Sequence, residues 1–166
     1  MTDDFIDLTE LFALQAGLDE EIAERHGVTY ESTFERRVLA LLVELGEFAN
    51  ETRCFKYWSY KGPSAKEVVL DEYADGLHFL LSLGIPLGVS QYKHYFHVKE
   101  KDLTKAILQV YEDVSELRKE YSVENYARAF GDYLNIVPLF DFSSEEVIEA
   151  YRKKLGTNHQ RQKDHY

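Results

Sequence analysis

The segment from about Ala65 to Leu83 constrains the chain more than any other. Val68, Val69, Leu70, Tyr73, Ala74, Leu77, Phe79, Leu80, Leu81 and Leu83 recur so densely that, wound as an α-helix, they cover nearly its whole circumference. A helix that is apolar all round has to be buried, so further helices must surround it. Yet Glu72 and Asp75 stand inside it, one turn apart on one face. A buried, ionised carboxylate without a partner is costly, or takes up a proton and goes neutral. Two of them require a cation, either the side chain of a lysine or arginine or a metal ion.

The preceding helix, read from about Ser32 to Tyr57, weighs on that choice. Its apolar arc is Phe34, Val38, Leu41, Leu42, Leu45, Phe48 and Ala49, and Glu44, Glu47 and Glu51 form a stripe along one border. By itself that stripe reads as a solvated face. Beside Glu72 and Asp75 it supplies more acid rather than a counter-charge, which favours a metal over a salt bridge. Glu44-x-x-Glu47 and Glu72-x-x-Asp75, brought together from two helices, offer an all-oxygen ligand set suited to Mg²⁺. Zn²⁺ would call for histidine or cysteine among the ligands. Four carboxylates can hold two or more Mg²⁺ ions along a triphosphate, offsetting its charge and activating water. A carboxylate not fully committed to metal can take the attacking water's proton.

The remaining segments also read as helix or connector. The first helix, from about Thr9 to His26 with Gly27 closing it, carries Leu8, Leu11, Leu14, Leu18 and Ile22 at helical spacing. Gln15 and Asp19 lie beside that stripe, either as border residues or as hydrogen-bonding groups for a ligand. The connector Lys56-Tyr-Trp58-Ser-Tyr-Lys61-Gly-Pro63 is rich in aromatic residues and lysine. Trp58 either anchors this loop or walls a base pocket, with Lys56 or Lys61 reaching phosphate. Ser64, with Glu67 three residues on, reads as the N-cap of the central helix. From Gly84 to Val98 the pattern breaks into loop, and His94 with His97 lacks a third ligand for a metal site. Asp102 caps a helix to about Tyr121 whose narrow stripe of Leu103, Ile107, Val110, Val114 and Leu117 is a helix–helix seam, and this suggests a homodimer. A further helix opens at Ser122 and runs through Tyr126, Ala127, Phe130 and Leu134 towards Pro138. Ser143-Ser-Glu-Glu146 is a capping box for the last helix, with Val147, Ile148 and Tyr151. No stretch alternates like a strand. The expected fold is all-α, a compact bundle of about five to seven helices in one domain spanning 1–166.

Charge narrows the partners. With 30 acidic residues against 19 lysines and arginines, the formal net charge of −11 disfavours nucleic acid and anionic membranes. The excess reverses after Tyr151, where Arg152, Lys153, Lys154, Arg161 and Lys163 face only Asp164, forming a basic tail over about 151–166 that suits phosphate. No run of about 18 apolar residues is present to span a membrane. The acidic start of the chain and the single cysteine, Cys54, fit a cytoplasmic protein.

Glu44-x-x-Glu47 followed by Glu72-x-x-Asp75 resembles the signature of the all-α nucleotide pyrophosphohydrolases, the group of MazG-like enzymes and dimeric dUTPases. Three further stretches resemble the dimeric dUTPases in particular. Leu14-Gln15-Ala-Gly-Leu18-Asp19 is similar to their first-helix segment. Phe55-Lys56-Tyr-Trp58-Ser-Tyr-Lys61 is similar to their Lys-x-Trp stretch. Lys154-Leu-Gly-Thr-Asn158-His-Gln-Arg161-Gln162 is similar to their C-terminal phosphate motif. Tyr166 stands for that motif's tyrosine, but the glycine before it is absent.

The resemblance implies Mg²⁺-dependent hydrolysis of dUTP, and of dUDP, to dUMP. It implies Glu44, Glu47, Glu72 and Asp75 as metal ligands, with Glu47 orienting or deprotonating water. Lys154, Asn158 and Arg161 would hold phosphates, helped by Lys56 and Lys61. Gln15, Asp19 and Trp58 would lie near uracil and deoxyribose. The competing expectations are a house-cleaning pyrophosphohydrolase acting on dCTP or a modified nucleotide, and a non-enzymatic helical interaction module.

Overall fold

In the computed structural model, which describes residues 3–166, the apolar helix is indeed the hub. The elements are β1 (Phe5–Asp7), α1 (Thr9–His26), α2 (Tyr30–Thr52), α3 (Lys66–Gly84), β2 (Lys93–Tyr95), α4 (Leu103–Lys119), α5 (Val123–Leu134) and α6 (Ser144–Lys163). Single 3₁₀ turns at Ile85–Leu87 and Val137–Leu139 follow α3 and α5. Helix α3 packs against α1, α2, α5 and α6. Its Tyr73, Leu77, Leu80, Leu81 and Leu83 are fully buried. The all-α expectation holds.

Close helix packing here relies on tyrosines as well as leucines. Tyr73 and Tyr133 stack with ring centroids 4.3 Å apart, and each hydroxyl donates to the other's backbone carbonyl. Tyr126 donates to the Leu80 carbonyl at 2.6 Å. These bonds let buried phenols cross between α3 and α5 without orphaned oxygens. Gly76 and Gly84 on α3 lie against the Tyr133 and Tyr126 rings, where a Cβ would collide.

Several boundaries differ from the sequence reading, each for a local reason. Helix α2 ends at Thr52 rather than near Tyr57, because Arg53 turns left-handed at φ 58° and its N–H closes on Ala49 and Asn50 carbonyls. Ser64 does not cap α3; its hydroxyl donates to Glu51, and the N-cap position falls to Ala65 without a side-chain bond. The caps at Asp102, Ser122 and Ser143 form as read, the last as a full capping box. In α5, Ala129 rather than Ala127 is buried.

A two-stranded antiparallel ladder corrects the expectation that no stretch forms a strand. β1 pairs with β2 in the register Phe5 to Tyr95, Ile6 to His94 and Asp7 to Lys93. Three residues are too few to show alternation, and only Ile6 is buried. His94 Nε2 bonds Asn135 Oδ1 at 2.8 Å, so this histidine ties β2 to the end of α5. The α4 stripe is spent inside the chain, on α5 and α2, with Ile107, Val110, Val114 and Leu117 buried. The seam therefore gives no support to a homodimer. The basic tail is the last three turns of α6, which extends as helix to Lys163.

Candidate active site

Helices α2 and α3 run side by side and bring the two acidic pairs together. Glu44, Glu47, Glu72 and Asp75 each place one carboxylate oxygen within 4.8 Å of the others. The i, i+3 spacing on each helix stacks each pair one turn above the other, which is how two short motifs build one cluster. Glu44, Glu72 and Asp75 are half-buried, whereas Glu47 is exposed.

So much negative charge in one place resists ionisation. Burial, then Asp75 and Glu47, push Glu44 up to about 8. Burial, then Asp75 and Glu47, push Glu72 up to about 7. Glu47 lies within hydrogen-bond reach of both. Glu44 Oε2 and Glu72 Oε2 are buried with no hydrogen-bond partner. Asp75 is raised by burial but accepts from Lys154 Nζ at 3.0 Å, so the lysine counter-charge weighed against a metal does exist for one of the four. The other three acids have no such partner among the described residues. Two orphaned carboxylate oxygens and an oxygen-only donor set fit a hard divalent cation.

A cavity of about 790 Å³ opens beside the cluster, between α1, α2, α3 and α6. Glu44 and Asp75 form its acidic wall. Leu18, Ile22, Phe79 and Ile85 make an apolar side, and Asn158, Arg161 and Tyr166 come from α6 and beyond. Arg161 lies over the Tyr166 ring at 4.6 Å and bonds Asn158 Oδ1 at 3.4 Å, with no carboxylate partner among the described residues. This guanidinium is available to an anion. Arg37 also lines the cavity but is committed to the Ser82 and Tyr30 carbonyls at 3.1 and 2.7 Å.

Gln15 and Asp19 also line it, and they belong to a network rather than to the border of a helix. Gln15 is buried; its Nε2 donates to Asp19 at 2.9 Å, and its Oε1 accepts from Tyr151 at 3.0 Å and lies 2.6 Å from His78 Nδ1. Tyr30 donates to the other oxygen of Asp19 at 3.0 Å.

The sequence-read site residues thus divide. Gln15, Asp19, Glu44, Asp75, Asn158, Arg161 and Tyr166 line one cavity, and Glu47 and Glu72 complete the acid cluster beside it. Lys154 is buried behind Asp75 and does not line the cavity. Lys56, Trp58 and Lys61 stay on the connector outside it. Trp58 is 63% exposed and packs edge-on against Phe55 and Tyr57. Unforeseen were His78, Phe79, Tyr30 and Arg37. His78 and Phe79 could have been found by continuing the Glu72–Asp75 face one more turn along α3. Tyr30 precedes the expected start of α2.

A family model described as dUTPase matches residues 7–166. No curated protein matches the chain. The family match runs through every element that forms the acid cluster and the cavity, and an interaction module without catalysis is thereby ruled out. The chain belongs to the dUTPase family and is a dUTP diphosphatase, a hydrolase.

Proposed function

We propose that the cavity binds dUTP, and also dUDP, and that hydrolysis to dUMP depends on Mg²⁺ held by Glu44, Glu47, Glu72 and Asp75. The observation that carries this is the convergence of four carboxylates, two of whose oxygens are buried and unpartnered, beside a cavity whose wall holds Glu44, Asp75 and, in Arg161, a guanidinium without a carboxylate partner among the described residues. When bound, two or more Mg²⁺ ions would offset phosphate charge and acidify water. Glu47, the exposed member at the centre of the cluster, orients a water and takes its proton as the water oxygen bonds to phosphorus and a phosphoanhydride bond breaks. From dUTP the products are dUMP and pyrophosphate. Arg161 and Asn158 hold phosphate oxygens, and Lys154, paired with Asp71 and Asp75 behind the cavity wall, joins them once it turns away from Asp75. Gln15 and Asp19 face the nucleoside, and Leu18 and Phe79 give the base an apolar wall.

Lys56, Trp58 and Lys61 lie outside the cavity, so any contact from them requires the connector to move or a second copy to bring it. The homodimer stays within this proposal. Leu39, Val43 and Leu108, 62%, 50% and 61% exposed on α2 and α4, mark the face to examine by light scattering.

The test is pyrophosphate release from dUTP, dCTP, dTTP and UTP, with Mg²⁺ and with EDTA. The expected result is turnover of dUTP with Mg²⁺ alone, and a fall in kcat of about 10²-fold or more in Glu47→Gln. Preference for another base, or full activity in EDTA, would overturn the reading.

A further inference from the structure

Among the described residues, Lys154 is the only cationic side chain paired with any of the four clustered acids. Its Nζ sits 3.0 Å from Asp75 Oδ1 and 3.1 Å from Asp71 Oδ2, and its side chain is 10% exposed. Asp71 and Asp75 stand one turn apart on α3, and α6 delivers the lysine across to both. Asp71 lies outside the ligand cluster and its side chain is 47% exposed. The ammonium is therefore clamped between a cluster acid and a neighbour that has no other cationic partner among the described residues.

We propose that Lys154, held against Asp75 by Asp71, is a resident counter-ion with which a divalent cation must compete, so that the free enzyme takes up the ion weakly and nucleotide relieves the competition. This rests on the reading that Glu44, Glu47, Glu72 and Asp75 hold the ion and that Lys154 reaches phosphate. An ammonium and a divalent ion cannot share one carboxylate at close range without strong repulsion. Lys154 must then give up Asp75 when the ion arrives. Asp71 keeps the displaced ammonium from becoming a buried, unpaired charge, which would otherwise be prohibitive. Released from Asp75, the Lys154 ammonium can turn towards the cavity and take a nucleotide phosphate beside Asp71, so ion and nucleotide strengthen each other's binding. Asp71 is thus a positioning residue, acting through the lysine.

The two variants of the clamp have opposite expected signs. Lys154→Met keeps the aliphatic stem and removes the competitor. Asp71→Asn leaves Lys154 with Asp75 alone and removes a nearby negative charge. Titrating Mg²⁺ alone into nucleotide-free enzyme by calorimetry should give about tenfold tighter binding in Lys154→Met and about fivefold weaker binding in Asp71→Asn. In EDTA, Lys154→Met should melt below the wild type, because all four clustered acids, rather than three, then lack a counter-charge. Unchanged or weaker Mg²⁺ binding in a natively helical Lys154→Met overturns the inference. If that variant does not fold, Asp71→Asn decides, and unchanged or tighter binding there overturns it. Glu72→Gln separates the two levels of the reading. If it binds Mg²⁺ like the wild type, the ligand assignment fails and takes the inference with it. If it does not bind, a failed Lys154→Met result counts against the inference alone.

Discussion

Removing divalent ions and raising the pH should destabilise this enzyme, and the magnitude follows from the acid cluster. Unfolded glutamates release their protons near 4.5, whereas folding lifts Glu44 to about 8 and Glu72 to about 7. Between those values the folded state binds more protons than the unfolded one. Stability therefore falls as pH rises, beginning above 4.5 and ending once the folded groups have ionised. His78 acts in the other direction, since burial lowers it from 6.5 to about 4 and its penalty operates only below 6.5. The window from pH 6.5 to 8 removes the histidine and leaves the cluster acids together with Asp113, which is pushed up to about 7, so the measurement is made in an Asp113→Asn background.

Across that window Glu44 keeps its proton for about one and a half pH units and Glu72 for about half a unit, a ceiling of ~2.7 kcal/mol. Water reaches the cluster through exposed Glu47, and screening brings the expected loss to about 1–1.5 kcal/mol. Urea unfolding followed by circular dichroism in EDTA, at closely spaced pH values, measures it. Glu44→Gln should remove most of the slope. Excess Mg²⁺ should reverse it, because the ion binds deprotonated carboxylates and stabilises the folded state by mass action. Metal-free stability that is flat or rising from pH 6.5 to 8, or an unaltered slope in Glu44→Gln, would refute the argument.

Two predictions concern the bundle away from the site. Asp113 is 4% exposed, and burial, followed by a hydrogen bond with Asp132, pushes it up to about 7. Asp113→Asn can still accept from Gln109 and can donate to Asp132 without needing a proton. It should raise the urea midpoint above pH 7 by an equivalent of about 1 kcal/mol, whereas a lower midpoint there would count against a shared proton. A Cβ at Gly84 would meet the buried Tyr126 ring, with Cζ at 2.5 Å. Gly84→Ala should cost about 3 kcal/mol in the same assay, and Tyr126→Phe should rescue little of that, because the ring and not just the hydroxyl is in the way.

The architecture was legible because the hydrophobic pattern is strongly periodic and because Asp102, Ser122 and Ser143 stand at their caps. The acid cluster was legible because helical spacing alone puts Glu44 with Glu47 and Glu72 with Asp75, and burial of the second pair implies neighbours. What stayed hidden depended on tertiary contacts. Arg53 adopts a left-handed turn that no pattern marks, and Ser64 turns to Glu51 instead of capping α3. β1 and β2 are short and held by pairing over nearly ninety residues of chain. The α4 seam has the period of an interhelical contact but carries no label saying whether its partner lies in the same chain. Lys154 reads as tail from composition, and only the packing of α6 on α3 shows that it reaches Asp75.

The polar network behind the cavity explains why a site assembled from four helices can be well defined before ligand arrives. Asp19 is held above its usual range by burial, although Gln15, Ser82 and Tyr30 bond to it. Because Asp19 accepts from Gln15 Nε2, the amide is oriented with Oε1 towards Tyr151 and His78. That oxygen can only accept, so His78 carries its proton on Nδ1, in keeping with a ring kept neutral by burial. Each bond thus fixes the direction of the next, and the chain of bonds joins α1 to α2 through Tyr30, to α3 through His78 and to α6 through Tyr151. His78 lies one turn beyond Asp75 on α3, and Tyr151 lies one turn before Lys154 on α6. The network that lines the cavity with Gln15, Asp19, Tyr30 and His78 therefore also sets the separation of the helices that carry the acids and the lysine. A hydrolase that must hold a polyphosphate substrate at fixed spacing gains from such a frame, because the ordering entropy is met in folding rather than at each turnover.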